Sequence, residues 1–235
     1  MTPRPAISTH NHLLASLPSH DRNRLLANCE PIELAFSEVL CRADELISHV
    51  YFPTGSFISV VTPIDGRANL EVGLIGNEGM LGITLLLGVN IVPFYSVVQG
   101  AGSALRMTTA LFLRELEQSP ALETVLKRYL YVSMKQLAQT AACTRFHLLE
   151  ARLARWLLMT QDRAQSDHLH VTHVFLAYIL GVRRVGITKA ANSLLKKNLI
   201  SYQRGDLVIR DRVGLEAASC GCYRADKEIY ERILG

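Results

Sequence analysis

The amino-acid sequence predicts an α+β fold in which a β-roll is followed by one long helix and then by two short helices with a β-wing. Three observations support this fold class. Residues 31–107 contain short runs rich in Val, Ile, Phe and Tyr, separated by turn residues such as Asp65-Gly66. Apolar residues then recur at spacings of 3 and 4 from Leu122 to Phe146. Finally, residues 181–205 combine apolar residues at helical spacing with six Lys or Arg and no carboxylate.

The composition is that of a globular protein with one large domain or two ordinary ones. The chain has 235 residues, of which 49% are hydrophobic and 20% are charged. Residues 1–146 hold 11 basic and 12 acidic side chains, whereas residues 147–235 hold 14 basic and 9 acidic ones. A basic C-terminal part beside a near-neutral N-terminal part indicates a polyanionic partner, although a solvated basic surface would have the same composition.

Cysteine content and hydropathy predict a cytoplasmic protein. The five cysteines are odd in number and irregularly spaced, which disfavours the disulfide framework of a secreted protein. Residues 1–20 lack the sustained apolar run of a signal peptide. Residues 79–105 carry no charge, but Gly, Pro and polar residues interrupt them every few positions. We therefore expect no membrane partner.

Short helices and strands make up the N-terminal part, which we assign to residues 1–118. Residues 13–28 predict short helical pieces around Pro18. Four β-type runs follow, namely IELAFSEVL, HVYFPTGSFISVVTPI, ANLEVGLIG and YSVVQGAGSALRM. Asp65-Gly66 lies between the second and third runs and indicates a hairpin. Strands at this spacing favour a small β-sandwich or roll.

The pattern becomes helical near Thr109. ALFLRELEQS predicts one short helix, and Pro120 begins a second, since Pro is tolerated in a first turn. This second helix, assigned to residues 119–146, has a heptad-like seam of the kind found in paired helices. Its predicted dimer-interface residues are Leu122, Val125, Tyr129, Val132, Gln136, Gln139 and Cys143. The seam could instead pack on the β-roll of its own chain, and a second apolar face is formed by Leu126, Leu130 and Leu137.

Residues 147–235 predict a winged helix-turn-helix that is introduced by an amphipathic helix over 147–163. Thr172 fits the N-cap of the first short helix, and Gly181 is a natural stop for it. A second helix runs from about Arg183 to Lys197, which completes the helix-turn-helix outline. Two short strands, LISY and LVI, then flank the turn QRGD and predict a wing.

The second of these helices separates an apolar face from a charged one. Ile187, Ala190, Ala191, Leu194 and Leu195 fall on one arc, which we expect to be buried. The opposite face offers Arg for guanine, Asn for adenine and Lys for phosphate. The predicted DNA-contacting residues are Thr172, His173, Arg183, Arg184, Val185, Thr188, Lys189, Asn192, Lys196 and Arg204. Gly186 either permits close approach to the duplex or is merely tolerated in the helix.

Three stretches resemble the Crp/Fnr family of bacterial transcription regulators: GRANLEVGLIGNEGMLG, RLARWLLMTQDR and LGVRRVGITKAANSLLKKNLISYQRG. The resemblance covers nearly the whole chain. It implies a sensor domain of the cyclic-nucleotide-binding-like jelly-roll type, a dimerisation helix and a winged helix-turn-helix. It further implies a homodimer on a pseudo-palindromic site in double-stranded DNA, with RNA polymerase as a further partner. Arg184, Val185 and Lys189 fall where family members place base and phosphate contacts, and Val185 replaces the Glu that is common there.

The sensor departs from the family's cyclic-nucleotide pattern. Met80 stands in place of the Glu that binds the ribose hydroxyl, and no Arg lies between Arg67 and Arg106 to bind the phosphate. The candidate effector-pocket residues are Glu71, Gly79, Met80, Leu81 and Arg106. We do not expect cyclic AMP to bind in the usual way, and an apolar effector or none fits better. Residues 1–28 contain no cysteine, so the iron–sulfur cluster of the oxygen-sensing branch is not expected either.

No metal site is predicted. Cys220 and Cys222 could bind a metal with Cys143 or His147, but two close cysteines without a matching pair are a weak signal, and an incidental role is favoured. The N-terminal histidines could ligate haem or a metal, although such residues are more often simply exposed; they are His10, His12 and His20.

No catalytic site is predicted either. Glu71 and Glu78 lack an accompanying nucleophile or base, and no Gly-rich phosphate loop or Ser/His/Asp set is visible. We therefore expect a DNA-binding regulator and not an enzyme. The alternative is a ligand-binding module whose helix-turn-helix docks on a protein partner.

Overall fold

The computed structural model describes residues 11–64 and 68–235. The predicted Asp65-Gly66 turn lies outside these residues. The helices are α1 His12–Ala15, α2 Ser19–Ala27, α3 Thr109–Gln118, α4 Pro120–Phe146, α5 Leu149–Ala164, α6 His173–Ile179, α7 Arg184–Lys196, α8 Arg212–Ala218 and α9 Cys222–Leu234. The strands are β1 Glu30–Leu34, β2 Val39–Cys41, β3 His49–Pro53, β4 Phe57–Ile64, β5 Ala68–Ile75, β6 Tyr95–Gly100, β7 Gly102–Thr108, β8 His168–His170, β9 Ile200–Gln203 and β10 Asp206–Ile209. These elements confirm the predicted α+β class.

The chain divides into two compact units. The first contains the chain up to Ile58 together with Ile75–Tyr131, and the second contains Ser59–Leu74 and Val132–Ile233. The predicted domain boundaries at 118/119 and 146/147 coincide with the ends of helices. The two compact units do not divide there, since the first extends past residue 118 and the second begins before residue 147. Ser59–Leu74, most of the β4–β5 pair, belongs to the same unit as the C-terminal helices. The three-domain assignment therefore stays a prediction.

The first unit is built on β3, which separates two apolar cores. Val50 and Phe52 point into one core with Met80, whereas Tyr51 lies in a second core with Leu81. Consecutive residues are therefore buried on both faces of the strand. β3 pairs antiparallel with β7, which pairs antiparallel with β1 on its other edge. A second sheet has the strand order β2-β6-β4-β5, and most of its β4 and β5 belongs to the second unit.

The second unit packs helices α5 to α9 with the three-stranded sheet β8-β10-β9 around one core. Its core contains Trp156 and Leu157 of α5, Leu176 of α6, and Ile187 and Leu194 of α7. The sequence predicted this arrangement and the wing strands. It did not predict β8, α8 or α9.

Two arginines attach α8 and α9 to α5. Arg155 forms a buried ion pair with Asp226 at 2.7 Å, which joins α5 to α9. Arg212 of α8 donates to Gln161 at 2.6 Å and to the Asp162 carboxylate at 2.7 Å, both on α5. Because these contacts join residues that are at least fifty positions apart, sequence periodicity carries no sign of them.

Candidate nucleic-acid interface

The turn between α6 and α7 is fixed by three local contacts. Thr172 caps α6, since its Oγ1 accepts a hydrogen bond from Phe175 N at 3.1 Å, as predicted. Gly181 follows α6 with a φ of +63°, a conformation that favours glycine. Arg152 of α5 donates to Leu180 O at 2.7 Å, which satisfies a carbonyl at the end of α6. The angle at which α7 leaves the turn is therefore set by α5 and α6.

α7 buries one face and exposes the other, as predicted. Ile187, Ala190, Ala191 and Leu194 are buried in the core of the second unit. The exposed face begins at the N-terminus of the helix and carries Arg183, Arg184, Val185, Lys189, Asn192 and Lys196. Val185 is 60% exposed, so its isopropyl group is accessible to a partner. No carboxylate lies between Asp167 and Asp206, so this face is positive throughout.

Lys197 differs from the other basic residues of this segment. Its Nζ lies 2.5 Å from a carboxylate oxygen of Glu150 on α5, and this ion pair lowers the pKa of Glu150. Lys197 therefore holds α7 on α5, and the exposed face is left to the other cations.

His173 joins both helices to the wing. Its ring stacks on Tyr202 of β9, with centroids 4.5 Å apart and planes 17° apart. Its Nδ1 lies 3.1 Å from Thr188 Oγ1. Because the Thr188 hydroxyl donates to Arg184 O, the hydrogen bond requires Nδ1–H as the donor, leaving Nε2 unprotonated. Burial, and then the charge of Arg184, lower the pKa of His173, which agrees with a neutral ring.

Two of the predicted DNA-contacting residues, His173 and Thr188, are less exposed than the others. His173 and Thr188 are only partly exposed and bind each other, so they support the helix and the wing. Whether either also reaches DNA stays a prediction.

The wing turn places Arg204 at its tip. Arg204 and Gly205 form the turn between β9 and β10, and Arg204 is exposed. The neighbouring Asp206 pairs with His170 of β8, with Nδ1 and Oδ1 2.8 Å apart. The carboxylate nearest the wing tip in sequence is thus engaged by a histidine.

Gly186 has a packing role. A Cβ at this position would lie 2.9 Å from Leu149 Cδ2, so the glycine faces α5 and not the exposed side of α7. Of the two interpretations open from the sequence, this position does not favour close approach to DNA. The glycine permits close contact between α7 and α5.

The predicted effector-pocket residues Gly79 and Met80 lie beneath a tyrosine of α4. Met80 is fully buried, and Tyr129 donates a hydrogen bond to Met80 O at 3.4 Å. A Cβ on Gly79 would lie 2.2 Å from the Tyr129 hydroxyl oxygen, so no side chain fits there. Leu81 is buried in the apolar core of the roll and pairs with Tyr51 through backbone hydrogen bonds.

The two charged residues of the predicted pocket are both engaged. Arg106 lies opposite Glu30 in the β1–β7 ladder, and its Nη2 is 2.7 Å from a Glu30 carboxylate oxygen. Glu71 is buried and belongs to the second unit, whereas Gly79–Leu81 and Arg106 belong to the first. Glu71 accepts hydrogen bonds from Ser59 Oγ at 2.5 Å and from Trp156 Nε1 at 2.8 Å. That these five residues line an effector pocket stays a prediction.

The predicted dimer seam of α4 is largely buried within its own chain. Leu122, Tyr129, Val132 and Cys143 are all less than a tenth exposed, so these side chains are not available to a second copy. This corrects the assignment made from sequence. Both faces of α4 have apolar residues at helical spacing, and only tertiary packing decides between them. The large apolar side chains that α4 leaves exposed are Tyr131, Met134, Leu137 and Phe146.

Residues 151–218 match the model of the Crp-like helix-turn-helix domain. They form a Crp-like domain. No curated protein sequence matches the chain. Solved structures share the fold over almost their whole length. FixK2 from Bradyrhizobium japonicum is 12% identical with a TM-score of 0.69, and the match covers 82% of this chain and 98% of that one.

Two further structures show the same relationship. The c-di-GMP responsive global regulator CLP from Xanthomonas campestris is 15% identical with a TM-score of 0.67, covering 82% of this chain and 99% of that one. A CRP-family transcriptional regulator from Thermus thermophilus is 16% identical with a TM-score of 0.67, and the match covers 80% of this chain and 96% of that one. The chain thus has the Crp/Fnr fold, with a β-roll before the Crp-like domain. None of its described helices is long and apolar enough to cross a bilayer.

One group of residues near the Crp-like domain was not assigned a site from sequence. Cys143, His147, Cys220 and Cys222 bring their sulfur and ring nitrogen atoms within 4.8 Å of one another. The signals were present as a Cys-x-x-x-His spacing and a Cys-x-Cys spacing, but 73 residues separate His147 from Cys220. The predicted N-terminal histidines His12 and His20 are exposed, and His10 lies outside the described residues.

Proposed function

We propose that the protein is a transcription regulator that binds double-stranded DNA through α7 and its wing. The observation that carries the proposal is the exposed, acid-free face of α7 on a Crp-like helix-turn-helix. A helix of this kind inserts its N-terminal residues into the major groove.

The side chains of this face divide into base-reading and phosphate-binding groups. Arg184, in the first turn, can bind guanine through two hydrogen bonds, and Asn192 can do the same for adenine. The exposed isopropyl group of Val185 matches a thymine methyl group and offers no acceptor to a cytosine amino group. Lys189, Lys196 and Arg183 supply charge to phosphates, as does Arg204 at the wing tip.

We propose that two copies pair through α4, by the face that the chain leaves open. Tyr131 is 48% exposed and Met134 is 63% exposed, and Leu137 lies one turn further along. Ala138 and Ala141 extend the same exposed region and allow close helix approach. Residues 131, 134, 138 and 141 follow the 3–4 spacing of a paired helix. A dimer of this kind would present two α7 helices to a two-fold-related site.

The β-roll is proposed as the sensory part, with an effector other than cyclic AMP. The support is the fixed position of Arg106 beside Glu30 and the fully buried Met80 beneath Tyr129. A cyclic phosphate requires a cation or several donors to offset its burial. An apolar effector, or none, suits this region better.

Selection of bound sequences from random DNA with the purified full-length chain tests the function and the symmetry together. Enrichment of a pseudo-palindrome would support a DNA-binding dimer, and enrichment of a single half-site would support a monomer. Affinity should fall steeply with salt, with a slope of about −0.9 for each phosphate bound. If no sequence is enriched and binding is insensitive to salt, the helix-turn-helix is a protein-docking surface instead.

A further inference from the structure

Three thiols and one imidazole converge at the junction between α4 and α9. Cys143 lies in the last turn of α4, and His147 directly follows that helix, one turn further on. Cys220 lies in the segment between α8 and α9, and Cys222 is the first residue of α9. All four ligand atoms lie within 4.8 Å of one another. The three thiols are buried, and His147 closes the group on its solvent side.

From this arrangement we propose that Cys143, His147, Cys220 and Cys222 bind a structural Zn²⁺ ion. Three sulfurs and one nitrogen are a common ligand set for structural zinc. Tetrahedral zinc, with bonds of about 2.3 Å to sulfur and about 2.0 Å to nitrogen, holds two sulfurs about 3.8 Å apart and a sulfur and a nitrogen about 3.5 Å apart. The sulfurs of Cys143 and Cys220 are 3.5 Å apart, and Cys222 Sγ lies 3.4 Å from His147 Nδ1. Two of the six distances between ligand atoms are therefore close to tetrahedral edges.

Two features of the surroundings of Cys222 suit a zinc ligand. Cys222 begins α9, a helix of 13 residues, and the N-terminal end of a helix stabilises negative charge. Gln139 of α4 donates from Nε2 to Cys222 Sγ at 2.9 Å, the contact expected of a residue that orients a ligand. Gln139 was predicted from sequence to lie in a dimer interface. Its position against Cys222 gives it a role within the chain. Zinc binding would release the three thiol protons to solvent.

The ion would join segments that are far apart in sequence. His147 and Cys220 are separated by 73 residues, and all four ligands belong to the second compact unit. A tetrahedral ion here would tie the end of α4 to the start of α9, beside the α5 residue Ala151. Because such a site does not exist in the unfolded chain, metal binding adds directly to folding stability. The proposal is independent of DNA binding.

The test is the metal content of the full-length chain, expressed without a histidine tag and purified without added metal. Mass spectrometry of the metals should find stoichiometric zinc. Replacement of zinc by Co²⁺ should give the visible absorption of tetrahedral cobalt with thiolate ligands. Removal by a chelator should lower Tm, and added zinc should restore it.

Single substitutions test which residues bind the zinc ion. Cys222→Ser and His147→Ala should lose stoichiometric zinc and the cobalt spectrum. Cys29→Ser, at a buried cysteine of the first unit, should keep both. His147 is exposed, so its variant should fold even if the buried cysteine variants do not. Circular dichroism checks this directly.

Three results would overturn the proposal. The first is a chain that lacks zinc and gives no cobalt spectrum. The second is stoichiometric iron in place of zinc. The third is a disulfide between Cys143 and Cys220 in the freshly purified chain, found by mass spectrometry of unreduced peptides.

Discussion

Glu71 of β5 accepts a hydrogen bond from the indole Nε1–H of Trp156 of α5, with the two atoms 2.8 Å apart. Its other carboxylate oxygen accepts from Ser59 of β4 at 2.5 Å. Burial raises the pKa of Glu71 to about 7, although both hydrogen bonds oppose the shift. A residue of the β-roll sheet thus holds a helix of the Crp-like domain, through a group that titrates near neutral pH.

Glu71 should make stability depend on pH. Its pKa is raised in the folded chain, so the folded state binds more protons than the unfolded state between about pH 4.5 and about pH 7. Stability is therefore greatest at the acidic end of this window and falls as pH rises through it, by up to about 3 kcal/mol. Urea unfolding at a series of pH values measures the fall.

Glu71→Gln should remove this pH dependence. The Gln carbonyl can still accept from Trp156, and its amide can donate to Ser59, so both hydrogen bonds survive without a charge. The variant should be more stable than the parent above pH 7. Glu33→Gln, at an exposed position on β1, is the matched control and should keep the parent's slope. Equal slopes in the parent and Glu71→Gln would show that Glu71 does not titrate in this range.

Arg184 and Lys189 should affect DNA binding in different ways. Arg184→Ala removes a base-reading group and should cost about 1–3 kcal/mol while relaxing the preference at one base pair of each half-site. Lys189→Ala removes a cation that binds phosphate, so the affinity for all DNA sequences should fall by a similar factor. The slope of log affinity against log salt concentration should become shallower by about 1 for each half-site. Gel-shift titrations at several salt concentrations measure both effects.

Arg224→Ala is the control for these two variants, because Arg224 is an exposed arginine on α9, outside the α7 face and the wing. It should bind DNA like the parent. If Arg184→Ala and Lys189→Ala do so too, the assignment of the α7 face to DNA is wrong.

Met134→Glu should convert the dimer to a monomer. The substitution places one carboxylate from each copy in an apolar interface, where like charges cannot be hydrated. Sedimentation at micromolar concentration measures the change in mass. Val213→Glu, at an exposed apolar residue of α8, is the control and should remain dimeric. A parent chain that sediments as a monomer would contradict the proposed pairing outright.

Val132→Glu distinguishes the two faces of α4. Val132 is fully buried in its own chain, so a carboxylate there should lower the free energy of unfolding by several kcal/mol. If the copies paired through the seam predicted from sequence, Val132→Glu would dissociate a folded dimer. If they pair through the exposed face of α4, the substitution should unfold the chain. Circular dichroism and sedimentation on the same sample tell these outcomes apart.

Cyclic AMP should not bind at micromolar concentration. Arg106 is paired with Glu30, and Met80 offers no acceptor for a ribose hydroxyl. Calorimetric titration with cyclic AMP and cyclic GMP tests this, with a known cyclic-AMP-binding protein as the positive control. Micromolar binding that disappears in Arg106→Ala would mean that Arg106 leaves Glu30 for the phosphate, and the prediction would fail.

The features predicted correctly from sequence are those encoded by nearby residues. The cap at Thr172, the stop at Gly181 and the apolar stripe of α7 each depend on residues a few positions apart. The same holds for the start of α4 at Pro120. Local backbone and side-chain chemistry decides such features, so periodicity and capping rules find them.

The features that were missed depend on residues brought together by the fold. The face that α4 buries could not be chosen from sequence, because both faces are apolar and Tyr129 gains its partner only when the loop at Gly79 folds beneath it. The sequence did not predict a metal site at the cysteine–histidine group for the same reason. Each half is visible in the sequence, but nothing local indicates that His147 lies beside Cys222.

Apart from its last two residues, the chain passes between its two compact units at 58/59, 74/75 and 131/132. The first position lies inside β4, the second inside β5 and the third inside α4. None of these three crossings occurs in a loop, so neither unit can be excised by cutting a linker. A fragment that begins at residue 147 would contain every element of the helix-turn-helix and yet lack Glu71, the acceptor for the buried Trp156. Such a fragment would expose an aromatic surface that the intact chain covers, and should aggregate where the intact chain stays in solution.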